Sequence, residues 1–116
     1  MLKKIEAIIR EDKLNDVKDA LHEVGIRGMN VFEIRGQGRQ GGITLAGRSG
    51  TYQVDMLPKM QINIILSEDN VDETIAAILK GGRTGEKGEI GDGKIMVLPL
   101  EECIRIRTGE RGGEAI

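Results

Sequence analysis

Two stretches of the chain carry the same succession of hydrophobic periods, and that duplication restricts the fold more than any other feature. Residues 2–9 alternate, with Ile5, Ala7 and Ile9 on one side and Lys4 and Glu6 on the other, the period of a half-buried strand. From Lys13 to Val24 the apolar positions become Leu14, Val17, Leu21 and Val24, with Ala20 beside them; this is helical spacing, and Gly25 stops it. Met29 to Gly36, containing Val31, Phe32 and Ile34, reads as a second strand. The succession then repeats. After Pro58, the run Lys59–Leu66 alternates, Met60, Ile62, Ile64 and Leu66 inward and Gln61 and Asn63 outward. Asn70 followed by Glu73 has the spacing of a capping box, and Val71, Ile75, Ile78 and Leu79 make a helical stripe through Lys80. Lys94 to Leu100 closes the pattern as a fourth strand.

Strand–helix–strand, written twice, predicts an α+β fold: a ferredoxin-like double βαβ with an antiparallel sheet and both helices on one face. The 116 residues make one domain, 1–116. The second face of the sheet then needs a cover. Ile8, Phe32 and Ile65 fall on the outer parity of the strands, so that face is expected to pack against further copies of the chain.

Composition narrows the function. The net charge is −2 and the only aromatic residues are Phe32 and Tyr52, which argues against a nucleic-acid partner, since neither a basic footprint nor a stacking platform is present. Cys103 is a lone cysteine, read as a small core residue, so no intrachain disulfide or cysteine metal cluster is expected. His22 lies off the helical stripe and reads as a solvated surface residue. No apolar run reaches the roughly 18–20 residues of a membrane span, and no signal-like block follows Met1; a cytoplasmic location is expected.

Function is expected in the loops. Glycine supplies 17 residues, concentrated in two internal stretches and near the C-terminus, where Gly109–Ile116 reads as a charged tail. Gly81 to Lys94 holds six glycines in fourteen residues and ends on a lysine. Such a loop presents backbone N–H groups without intervening side chains, as an anion cradle does; a plain connector has the same composition. Gly88 to Lys94 fits the first part of a P-loop, but Ile95 stands where Ser or Thr would hold Mg²⁺, and the loop leads from helix to strand rather than the reverse. Gly36–Gly41 fits G-x-G-x-x-G, yet Gly42, Gly47 and Gly50 exclude the helix that a dinucleotide site requires. Residues Gln37–Leu57 show little apolar periodicity, a length usual for functional loops. Arg105 and Arg107 lie two apart on a strand-like piece, Ile104–Arg107, so they share a face; two guanidiniums there suit a polyanion or a pair of surface ion pairs with Glu101 or Glu110. With Lys94 and the glycine loop they favour a triphosphate site. No nucleophile–base constellation is present, so the chain does not read as an enzyme.

Thr84-Gly85, Gly91-Asp92-Gly93-Lys94-Ile95 and Arg105-Ile106-Arg107-Thr108-Gly109-Glu110 resemble the C-terminal signature of the PII nitrogen-regulatory signal proteins. Glu6–Ile9, Lys13-Leu14, Gly25–Met29, Gly36, Gly38-Arg39-Gln40 and Asp55–Lys59 are similar to that family's first half, so the resemblance runs from about Met1 to Glu110. It implies a homotrimer with nucleotide in clefts between subunits. The B-loop, 81–94, would cradle phosphates through Gly91, Asp92 and Gly93 with Lys94 on them; Arg105 and Arg107, in the C-terminal segment 101–116, would complete the cleft, and Arg39 would reach the terminal phosphate. Ile8, Gly28, Met29, Asn63, Ile65 and Thr84 would hold base and ribose. ATP and ADP would compete there. With ATP, Gln40 would hold Mg²⁺, 2-oxoglutarate would chelate that metal near Gly38 and Gly41, and Lys59 would pair with its carboxylate.

The stretch 37–57 matches the family's T-loop, which ligands reorder to switch partner binding. An ammonium transporter or a nitrogen-assimilation enzyme or regulator would be the partner, so a membrane is met only through a transporter; Arg48 would enter a channel and Tyr52 lies beside it. Tyr52 stands where many members are uridylylated, but Gly47 replaces the first tyrosine of the usual loop tip, and Gly50 rather than Ser49 occupies the position phosphorylated in some relatives. A second departure is the run Glu86-Lys87-Gly88-Glu89, which lengthens the B-loop and brings in two carboxylates that oppose phosphate unless they point away. The resemblance thus implies a transducer of nitrogen, carbon and energy status. The alternative is a PII-like regulator of another transporter or pathway that responds to nucleotide but not to 2-oxoglutarate.

Overall fold

The computed structural model describes residues 1–36, 43–47, 50–54 and 57–116, with 43–47 and 50–54 described by backbone alone. The main sheet contains β1 (Leu2–Arg10), β2 (Asn30–Gly36), β5 (Leu57–Ser67) and β6 (Gly93–Leu100) in the order β2-β5-β1-β6. Every neighbouring pair is antiparallel, with Ile5 opposite both Ile64 and Val97. Helices α1 (Leu14–Glu23) and α2 (Val71–Gly82) complete the double βαβ expected from the periodicities. The alternation does what the sequence predicts: Ile5, Ala7, Ile9, Ile62, Ile64 and Leu66 point to the helical side and are buried. Val17 and Leu21 from α1 and Ile78 from α2 close that core.

Several local expectations give way to other contacts. The helix after β5 does not begin with a cap from Asn70; a 3-10 turn, Glu68–Asn70, precedes it, and the Ser67 hydroxyl accepts the Asp69 N–H at 3.4 Å. Asn70 serves through its carbonyl, which accepts the Thr74 hydroxyl at 2.7 Å. The stripe is also rotated: Thr74, Ala77 and Ile78 are buried while Leu79 is 42% exposed. Gly81 and Gly82 belong to α2 rather than to the loop, and both are buried. A β-carbon on Gly81 would lie 2.7 Å from the Val17 Cα and 2.8 Å from the Asp16 carbonyl oxygen, so the two helices cross almost backbone to backbone there. Helix packing, not loop conformation, explains that glycine.

Within the stretch expected to lack periodicity, β3 (Ile43–Gly47) pairs with β4 (Gly50–Val54), Ile43 opposite Val54. The chain after β6 departs from expectation more strongly. Ile104 bridges to Arg111, the Arg105 N–H donates to the Glu110 carbonyl at 2.9 Å, and residues 106–108 form the turn between them. Arg105 and Arg107 therefore do not share a strand face: Arg105 is half-buried, and Arg107 is exposed on the turn. The tail itself is structured as a 3-10 turn, Gly112–Ala115, against which the half-buried Cys103 packs, its Sγ 3.9 Å from the Ala115 carbonyl oxygen. His22 is exposed, as expected.

The face of the sheet away from the helices presents a cross-strand row of Phe32, Gln61, Ile8 and Lys94, with Asn63, Glu6 and Met96 in the next row. Phe32 is 48% exposed. No described helix lies on this face, and no described helix is long and apolar enough to cross a membrane.

Candidate functional site

The glycine-rich loop runs from the end of α2 to the start of β6, and it is organised by Asp92. Its carboxylate accepts four hydrogen bonds: from the Thr84 N–H at 2.9 Å, the Thr84 hydroxyl at 2.7 Å, the Glu89 N–H at 2.9 Å and the Arg10 Nε at 2.8 Å. Burial opposes its ionisation, but Arg10, the two backbone N–H groups and the hydroxyl together outweigh that and hold the carboxyl well below the usual carboxylate range. The same contact raises Arg10, the Asp92 hydrogen bond being the largest influence. Arg10 sits at the end of β1, and its guanidinium also donates to the Ile90 carbonyl at 2.9 Å and lies 3.9 Å from the Glu89 carboxylate. One arginine from the sheet thus fastens both the root and the middle of the loop.

Lys59, opposite Arg10 in the β1–β5 register, provides a second fastening: its ammonium donates to the Gly91 carbonyl at 2.5 Å. Burial and the neighbouring Arg10 charge lower its pKa. The loop then enters β6 through Gly93, whose φ is +107°. A β-carbon on Gly93 would fall 1.7 Å from the Ile8 carbonyl oxygen, so the strands can close here only on a glycine. Closure sets Lys94 directly opposite Ile8.

A cleft of about 690 Å³ opens beside the loop, between the C-terminal half of α2 and β6. Ile75, Leu79 and Val97 give it an apolar wall, and Arg83 and Lys87 also line it; Lys94 borders it from β6, at the strand parity of the open face. An apolar wall with a cationic, glycine-rich margin suits a ligand with a flat apolar end and an anionic end.

The expected site residues divide into groups. Ile8, Lys59, Thr84, Gly91, Asp92, Gly93 and Lys94 come together around the loop. Thr84 and Asp92, however, bond to each other: the Asp92 side chain is spent on the loop, and its N–H donates to the Glu89 carbonyl at 3.1 Å. Asn63 and Ile65 lie on the open face along β5, where Asn63 accepts from Gln61 at 3.0 Å. Gly28 and Met29 precede β2, on the sheet edge opposite β6. Arg105 is engaged within its own turn, at 3.2 Å from the Glu110 carboxylate and 3.1 Å from the Ile116 carbonyl oxygen. Gly38, Arg39, Gln40, Gly41 and Arg48 lie outside the described residues, and Tyr52 is placed only by its backbone, opposite Leu45. Arg10, which the sequence reading did not single out, is central. Its signal was an arginine at the end of an alternating strand, indistinguishable in sequence from a solvated end.

The chain matches the family model described as "Nitrogen regulatory protein P-II" over residues 2–110. It is 53% identical over 115 residues to the nitrogen regulatory protein P-II of Azospirillum brasilense, covering 99% of this chain and 100% of that one. It is 47% identical over 115 residues to nitrogen regulatory protein P-II 2 of Methanothermobacter thermautotrophicus, covering 99% of this chain and 97% of that one. A crystal structure of Arabidopsis thaliana PII bound to citrate superposes with a TM-score of 0.77 at 38% identity, covering 98% of this chain and 88% of that one. A sheet of this order, a glycine loop closed on Ile8 and identity across nearly the whole length agree: the chain belongs to the nitrogen regulatory protein P-II family.

Proposed function

We propose that this protein is a non-enzymatic signal transducer of nitrogen, carbon and energy status, a cytoplasmic homotrimer that binds ATP or ADP in clefts shared between subunits. The observation that carries this reading is the stapled glycine loop: Arg10 and the Thr84 and Glu89 N–H groups hold the Asp92 carboxylate within it, Gly91 and Gly93 keep its surface free of side chains, and Lys94 stands at its exit. Two further observations support sharing between copies. The sheet face carrying Phe32, Ile8 and Met96 has no described cover, and Arg105 and Arg107 make no described hydrogen bond or ion pair to the loop they are expected to serve. A second copy would cover the first and supply the second. ATP bound with Mg²⁺ would bring in Gln40 and Arg39, and 2-oxoglutarate would take Lys59. The T-loop, 37–57, would carry that state to an ammonium transporter or a nitrogen-assimilation enzyme.

Lys59 gives the second reading its basis. Its ammonium is held by the Gly91 carbonyl, and a carboxylate ligand has to draw it away. Calorimetric titration with ATP and ADP, with and without Mg²⁺ and 2-oxoglutarate, separates the readings. The expected result is ATP binding tightened by 2-oxoglutarate in the presence of Mg²⁺. ATP binding unaffected by 2-oxoglutarate points to a regulator of another pathway that responds to nucleotide alone, and absence of ATP binding defeats both.

A further inference from the structure

The helical layer does not reach the edge of the sheet. Gly81 lets α2 lie against α1 almost backbone to backbone, and α2 packs over β1 rather than over β6. Along one row of the register Ile64, Ile5 and Val97 stand side by side at the inward parity; the first two are buried, whereas Val97 is 42% exposed. Leu79 on α2 is exposed to the same degree, and both residues line the cleft between α2 and β6. Ile75 and Leu79 are one turn apart on α2, and Arg83 follows at its C-cap, so that side of the cleft runs from apolar to cationic. Lys87 lies beyond Arg83 on the loop, where Ile90 is also exposed. Neither Arg83 nor Lys87 has an ion-pair partner among the described residues, whereas the two acids of the lining both face Arg10, Asp92 at 2.8 Å and Glu89 at 3.9 Å. The groove is thus apolar along its length and positive at one end.

We propose that this cleft is a docking groove for an amphipathic helix of a partner protein, one with apolar residues at i and i+4 and carboxylates a turn beyond them. The helix would take the third place in the helical layer, beside α2 and over β6, with its apolar residues on Leu79 and Val97 and its acids at Arg83 and Lys87. Charge selects the occupant: two unpaired cations at one end of an apolar groove attract an acid-tipped segment and repel a basic one. One wall of the groove is the surface of α2 itself, which suits ridge packing by another helix better than an added strand. The groove is separate from the nucleotide reading above. Ile95 and Val97 have the helical-face parity, opposite Ala7 and Ile5, whereas Lys94, opposite Ile8, has that of the open face.

The test measures, by fluorescence anisotropy, binding of the full chain to a labelled, helix-stapled peptide of about 14 residues with leucines at i and i+4 and glutamates one turn on. Two control peptides carry lysines in place of the glutamates, or leucines at i and i+2, off a single helix face. Saturable binding of the acidic peptide is expected, weakened about tenfold or more in Leu79→Asp and in Val97→Asp. Arg83→Glu combined with Lys87→Glu, both at exposed positions, should weaken the acidic peptide about tenfold and tighten the lysine peptide. No binding of the acidic peptide, equal binding of all three peptides, or binding unchanged in Leu79→Asp and in the charge-reversed variant overturns the proposal. A change of assembly mass in Leu79→Asp by light scattering assigns the groove to a second copy and also overturns it. So does peptide-induced protection of the outer-edge β6 amides from hydrogen exchange, which marks an added strand, and so does binding of anionic phospholipid vesicles in place of the peptide.

Discussion

Replacing Asp92 with asparagine removes one charge and almost no volume, yet it reaches every contact that shapes the loop. In place of a carboxylate accepting from Thr84 twice, from Glu89 and from Arg10, the amide offers one acceptor and one donor group. Its NH₂ then confronts a guanidinium or a backbone N–H that has no other partner. The Asp92 side chain is 19% exposed, so solvent offsets only part of this. Hydrogen bonds to charged groups contribute about 1.5–3 kcal/mol each, and they are coupled here, so a loss of about 2–4 kcal/mol in unfolding free energy is expected. Urea denaturation at one fixed protein concentration measures it, since an oligomer's stability depends on concentration. A cycle with Arg10→Met isolates the pair, and the double variant should fall short of the sum of the singles by about 1–3 kcal/mol.

The acid dependence provides an independent sign. The folded carboxyl lies below its unfolded value, so the contribution is fully present above about pH 4–5 and is lost as pH falls toward the folded pKa. The stability gap between unmodified protein and Asp92→Asn should therefore be flat near neutrality and close below about pH 4. A variant within 0.5 kcal/mol of the unmodified protein, about the ordinary scatter of surface substitutions, or a gap that widens in acid, would refute the stapled loop.

Gly81→Ala adds a methyl group where backbone stands on the facing helix, so despite a gain of about 1 kcal/mol in helix propensity it should lower stability by a net ~1–3 kcal/mol in the same denaturation assay. Lys59→Met removes the ammonium from the Gly91 carbonyl, and amide hydrogen exchange should accelerate in the loop around Gly91 while β1 and β5 stay protected. Glu110→Gln frees the Arg105 guanidinium from a pair whose side chains are each more than a third exposed; the effect is expected to be modest, about two- to fivefold tighter ATP binding by calorimetry.

How much of this was legible in the sequence depended on whether a contact was periodic. The strands and helices follow from alternation and helical spacing, because a buried face repeats along one element: Ile5, Ala7 and Ile9 could hardly face elsewhere. Contacts made once between distant residues leave no such trace. Arg10 meets Asp92 across 82 positions, and Lys59 meets Gly91 across 32, so neither latch could be read along the chain. Glycine content misled at Gly81 and Gly82, where the missing side chain serves close helix packing, and it informed at Gly93, where it admits a strand. The arginines after β6 alternate like a strand, but the turn at 106–108 and the Arg105–Glu110 contacts fold that piece back on itself. The resemblance implies a site whose parts the single chain keeps apart, and the proposed contact between copies would have no period within one.

The central claim is that the loop of one copy and the arginines of another form one nucleotide site, and mixing two defective chains tests it most directly. Lys94→Ala damages the loop half, and the double variant Arg105→Ala, Arg107→Ala damages the other. Each alone should bind ATP weakly. After joint unfolding and refolding, mixed assemblies should regain full-affinity sites in a fraction set by the mixing ratio, read by calorimetric stoichiometry, because an intact loop then meets intact arginines. Mixed assemblies that bind no better than the average of the two defective proteins would contradict the account.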